Sequence, residues 1–96
     1  MNPYELLKNL PGLQQKAQEM QQRLRTVTVV GESGAGLVKI EMNGAMEVVS
    51  VSIDPAVFDA GHAQTVEVLL ASAINSAIAE ARTKAMEIAR SNMGGA

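Results

Sequence analysis

The chain has 96 residues, enough for one domain that buries only about 60–65% of its unfolded surface, so cover from a second subunit would add to its stability. It contains no cysteine, which excludes disulfide staples and thiolate metal sites, and its formal net charge of −2 is not the footprint of a strongly basic domain. No apolar run approaches the roughly 20 residues of a membrane span, and Asn2, Pro3 and Glu5 stand where a secretory signal would be basic, so a cytoplasmic protein with no membrane partner is expected.

The leading segment carries two helix start signals. Asn2 with Pro3 and Glu5 can cap a short first turn, and Pro11 can open a longer helix running to about Arg25. A residue before proline is biased away from helical angles, so a break or kink is expected near Leu10 to Gly12. Beyond it Leu13, Ala17, Met20, Leu24 and Val27 recur at alternating spacings of four and three, a heptad seam that calls for a partner helix. The five glutamines at 14, 15, 18, 21 and 22 read as an exposed helix face.

The stretch Gly31-Glu-Ser-Gly-Ala-Gly-Leu-Val-Lys39 has the outline of a phosphate loop and fails its chemistry. A P-loop needs Gly-Lys-Ser/Thr opening a helix, whereas Gly36 is followed by Leu37 and Val38. Lys39 instead sits in an alternating run, Val38, Ile40 and Met42 against Lys39, Glu41 and Asn43, which is strand periodicity. Gly31, Gly34 and Gly36 are therefore read as turn residues, and Asn43-Gly44 as a two-residue hairpin turn with positive φ angles. A further alternating run places Val49, Val51 and Ile53 on one face, ended by Asp54-Pro55.

From about Ala63 onward an alanine-rich stretch free of proline and glycine predicts a long trailing helix over 63–91, capped by Thr65 or the loop before it and stopped at Gly94-Gly95. Ile74, Ile78, Ala81, Ala85 and Ile88 repeat the four-three spacing, with small residues that suit a close helix partner.

Taken together, Gly31-Glu-Ser-Gly-Ala-Gly-Leu-Val-Lys39, Asn43-Gly44, Ile53-Asp54-Pro55, the run Gln14 to Gln21 and Ala73-Ile-Asn-Ser-Ala77 resemble the signature of the YbaB/EbfC nucleoid-associated proteins over nearly the whole chain. The resemblance implies a small bacterial homodimer, localised to the nucleoid, that binds double-stranded DNA.

The resulting expectation is an α+β fold: a leading helical arm over 1–25, a three-stranded antiparallel meander over 26–54 and the trailing helix. Strands of about seven residues span roughly 23 Å and a helix of about 28 residues roughly 42 Å, so half the trailing helix should overhang the sheet. Its first half, with Val66, Leu69, Leu70, Ala73 and Ile74, would cover the sheet. Its second half would run back to the entry end and pair antiparallel with residues 13 to 27, giving a dimer with projecting helical arms.

Charge follows the same division. Residues 1–25 and 79–96 hold seven cations, Lys8, Lys16, Arg23, Arg25, Arg82, Lys84 and Arg90, against four anions, whereas 26–78 hold Lys39 against six. These seven cations are the DNA-binding candidates: a basic arm held off an acidic body can approach phosphates. Binding should have weak sequence preference, because no base-reading face is evident. The rival reading is a protein-interaction or chaperone-like module using paired arms, whose sign would be an apolar inner arm surface.

No catalytic residue, metal ligand, cofactor or small-molecule substrate is read from the sequence. His62 is a lone histidine beside Gly61, read as a loop residue, and Asp54 is a turn aspartate with no nucleophile or paired carboxylate near it. With Tyr4 and Phe58 as the only aromatics, stacking platforms for single strands are lacking. The six methionines read as core and seam filler, and Asn75 as making a structural hydrogen bond at the sheet or a dimer interface.

Overall fold

The computed structural model describes residues 2–58, 61 and 63–94. Helix α1 (Pro3–Thr26) leads into an antiparallel sheet of β1 (Thr28–Ser33), β2 (Val38–Asn43) and β3 (Val48–Ile53), with β2 in the centre. A 3-10 turn (Pro55–Phe58) and the long helix α2 (Ala63–Gly94) follow. The expected order of helix, three-stranded meander and long helix is the order found. His62 and Gly95, the expected loop residue and part of the expected helix stop, lie outside the described residues.

Helix α1 starts as its caps dictate: Asn2 Oδ1 accepts the Glu5 N–H at 2.8 Å and Pro3 fills the first turn, where an N–H would go unused. The break expected near Leu10 to Gly12 is absent, and the helix runs unbroken through Pro11. Proline removes one helical hydrogen bond, but every side chain from Asn2 to Glu19 is exposed, so water can reach the carbonyl left over.

The core lies between the sheet and α2. Val38, Ile40 and Met42 of β2 are buried against Ala73, Ala77 and Ala81, with Val29, Leu69, Leu70, Ile74 and Ile78 packed around them. The alanine stripe thus faces the sheet rather than α1. The cause is Gly31: it lies in β1, not in a turn, and a Cβ there would overlap the Ala77 backbone nitrogen and stand 2.5 Å from the Ala73 carbonyl oxygen. Helix backbone and strand backbone therefore meet with no side chain between them.

The turns also differ from expectation. Gly34, Ala35 and Gly36 take positive φ in the β1–β2 turn, the role foreseen for the two glycines. At the β2–β3 connection, however, Asn43 and Gly44 do not; the left-handed residue is Met46, with φ 64°. The loop is longer than two residues because the Asn43 side chain organises it, accepting from the Ala45 and Glu47 N–H groups at 3.0 Å each. Gly44 is needed for space, since a Cβ would lie 2.8 Å from the Leu24 carbonyl oxygen, to which the Gly44 N–H donates at 2.8 Å.

A register shift at Glu41/Met42 places Val48, Val51 and Ile53 opposite Met42, Ile40 and Val38, so Val48 replaces Val49 in the expected inward set. Val48 and Val51 nevertheless remain half exposed. A helix about 10–12 Å wide covers roughly two strands spaced 4.8 Å apart, and α2 lies on β1 and β2. The edge strand β3 is left bare.

Helix α2 opens at Ala63, so Thr65 is already helical and cannot be its cap. The Ser33 hydroxyl donates to the Leu69 carbonyl at 2.5 Å, and Gly31 meets Ala73 and Ala77, so α2 runs antiparallel to β1. Its last turns pass the Thr28 end of the sheet, where α1 arrives. The expected antiparallel pairing over residues 13–27 is confined to the base of α1, and Ile88 of α2 is buried outside the core that lies between sheet and helix. Contact between the helices is slight, Met20 and Leu24 are half-buried, and Leu13 and Ala17 are exposed. The sheet has claimed Ile74, Ile78 and Ala81, residues that the seam would have needed. Of the methionines, Met42 fills the core, while Met46 and Met86 lie on the surface rather than in core or seam.

Candidate nucleic-acid interface

The molecule is elongated, 65 × 22 × 18 Å, with a radius of gyration of 18.9 Å. A compact chain of this length would have roughly 12–13 Å. The excess comes from two helices leaving the same end of one small sheet. All seven candidate cations are on them and exposed: Lys8, Lys16, Arg23 and Arg25 on α1, and Arg82, Lys84 and Arg90 on α2.

Their partners divide them. Arg25 Nε lies 3.4 Å from Glu47 Oε1, and the same oxygen accepts from Asn43 Nδ2 at 2.9 Å, so Arg25 fastens the base of α1 to the β2–β3 loop. Lys84 Nζ is 3.6 Å from Glu87 Oε2, one turn along α2. Both pairs are exposed and contribute little to stability. Lys8 Nζ stands 5.8 Å from the centre of the Tyr4 ring. Among the described residues, Lys16, Arg82 and Arg90 have no carboxylate within 4 Å.

At 100° per residue, Lys8, Gly12, Lys16 and Arg23 fall within about 80° of one another on α1, and Arg25 falls on another side. Glu5 and Glu19 share that face, the latter accepting from Gln15 Nε2 at 3.3 Å, so its charge is three cations against two anions. A second face, Leu6, Leu10, Leu13 and Ala17, is apolar and exposed. The sequence signal for it was available, because the four-three spacing of the seam extends back through Leu10 to Leu6. The glutamines occupy the remaining side and are exposed, as the sequence suggested.

The loop resembling a phosphate cradle is a hairpin turn between β1 and β2, and Lys39 is an exposed strand residue on the sheet face away from α2. No helix begins after the loop, so no helix N-terminus is aimed at a phosphate there. Among the described residues, no cluster of histidine, cysteine and carboxylates could hold a metal ion, and no helix is long and apolar enough to cross a membrane. Asn75 is exposed on α2, away from the sheet, so it makes no structural bond there.

Fold and surface together define a small α+β protein in which a three-stranded sheet carries two helices with exposed cations beyond one end. The model of the YbaB/EbfC DNA-binding family matches residues 1–96, and the chain belongs to that family. A nucleoid-associated protein of Dictyoglomus thermophilum is 37% identical over 86 residues, 90% of this chain and 83% of that protein. One from Anaeromyxobacter dehalogenans is 34% identical over 90 residues, covering 94% and 87%. The fold is shared with the uncharacterized protein HP0035 from Helicobacter pylori, with a TM-score of 0.79 at 20% identity over 97% of this chain and 98% of that one.

Proposed function

We propose that the protein is a nucleoid-associated, homodimeric binder of double-stranded DNA, acting in the cytoplasm through phosphate contacts with weak sequence preference and without catalysis, cofactor or small-molecule substrate. The observation that carries this reading is the convergence of α1 and α2 at one end of the sheet. Lys8, Lys16 and Arg23 there join Arg82, Lys84 and Arg90, while the anionic residues Glu32, Glu41 and Glu67 belong to the body. A dimer doubles the number of cationic arms, and each phosphate neutralised releases counterions, so several weak contacts sum to useful affinity.

The dimer is supported by the bare side of β3. Val48, Val49 and Val51 are each more than half exposed on an edge strand, and Phe58 in the turn that follows it in the chain is 63% exposed. The accessible surface of 6852 Å² also exceeds the roughly 5,300 Å² of a compact chain of this mass. Titration of duplex DNA by gel shift at two salt concentrations tests the reading. Binding that weakens steeply with salt and is similar on unrelated sequences supports it; binding indifferent to salt contradicts it.

A second reading has its own observation. Leu6, Leu10 and Leu13 of α1 are 46%, 44% and 52% exposed, the apolar arm surface of a protein-interaction module. An arm that grips polypeptide would bind unfolded protein in competition with duplex DNA.

A further inference from the structure

We propose that Gly12, with Lys8 and Lys16 one turn to either side, forms a notch in α1 that receives a phosphate of duplex DNA. The proposal rests on the DNA-binding reading and gives it a place on the molecule. The two buried glycines of the described residues are explained internally: Gly31 admits α2, and Gly44 admits the Leu24 carbonyl. Gly12 has no such explanation. Nothing lies within 4 Å of the Cβ it lacks, and its φ is not in the left-handed region. Glycine is the least favourable helix residue after proline, so the interior of an exposed helix is a costly place for it.

What Gly12 faces is external. A concavity of about 500 Å³ opens there, lined by Leu6, Lys8, Asn9, Gly12, Leu13 and Lys16. Lys8 and Lys16 are eight residues apart, about 12 Å along the axis, with Gly12 midway. Two flexible stems of that reach can converge on one anion seated against the bare backbone at Gly12, and Asn9 adds an amide donor. The lining contains two cations and no carboxylate. Glu5 and Glu19 stand on the same side of the helix but beyond each lysine, where they bound the favourable region along the axis. A phosphodiester fits this arrangement, with charge and main-chain closeness supplied together.

The test uses the full chain and duplex DNA at two salt concentrations, with Gly12→Gln, Gly12→Ala, the pair Lys8→Gln/Lys16→Gln, and the pair Arg82→Gln/Arg90→Gln. Glutamine is neutral and a better helix former than glycine, so circular dichroism should report an intact α1. Gly12→Gln is expected to weaken binding about tenfold and to lower the salt slope by about one, with Gly12→Ala losing less. On the Lys8→Gln/Lys16→Gln background, Gly12→Gln should cost nothing further, because the contact it blocks is already gone. If Gly12→Gln binds like the parent while Arg82→Gln/Arg90→Gln loses affinity, the notch is refuted and the DNA reading stands. A parent that fails to bind duplex DNA refutes both. A Gly12→Gln variant whose sedimenting mass changes shows that the notch seats a second copy, and that outcome also overturns the proposal.

Discussion

Single residues decide how closely the layers of this protein approach. Gly31 has a buried position within a strand, where any side chain must displace the backbone of α2 rather than a flexible neighbour. Gly31→Ala is therefore expected to destabilise the fold by about 3 kcal/mol or more, a large share of a small domain's total. Urea unfolding that gives an unchanged midpoint would show that α2 can lift off β1 without loss. The sequence announced the glycines but not this use of them. Gly31 and Gly36 sit five apart in one glycine-rich run, and only the pairing of β1 with α2 separates the packing glycine from the turn glycine. Asn43-Gly44 misled for the same reason: Gly44 is small because Leu24, twenty residues earlier, comes to rest on it.

Elements were more legible than contacts. The alternation through Val38, Ile40 and Met42 and the long alanine-rich run each depend on local periodicity, and both elements formed, the helix running on to Gly94 past its expected end at 91. The partner of a helical face is not local information. Ile74, Ile78 and Ala81 match a heptad seam and also match the underside of a helix lying on a sheet, and the sheet took them. The candidate cations were legible as charges, whereas the pairing of Arg25 with Glu47 was not, since the two meet only when α1 docks on the β2–β3 loop. Helix α1 accordingly behaves as an appendage. Pro11→Ala restores a helical N–H and removes a penalty of about 3 kcal/mol from the helix itself. Because α1 touches the body so slightly, the gain should appear as higher far-UV helicity, with little movement of the main urea transition. A transition raised by the full amount would mean that α1 is an integral part of the cooperative unit.

At the scale of the whole molecule, one helix cannot cover three strands, and the remainder of the apolar surface sets the assembly. The bare β3 predicts that the protein sediments at micromolar concentration as twice its 10.1 kDa chain mass. Val51→Glu, which puts a charge in the centre of that patch, should yield the monomer; a dimer that survives it must use another surface, with the apolar stripe of α1 the next candidate. DNA affinity is expected to belong to the helices beyond the sheet and to be electrostatic. The most direct measurement is the salt dependence of duplex binding for three proteins: the parent, Lys16→Glu/Arg82→Glu with one reversal on each arm helix, and Lys39→Glu on the sheet. All three positions are exposed, so the fold should persist. The arm variant is expected to lose affinity for every duplex alike, with its log–log salt slope falling by about two, while Lys39→Glu stays close to the parent. An arm variant that binds as tightly as the parent, beside a Lys39→Glu variant that does not bind, would place the DNA surface on the sheet and contradict the account.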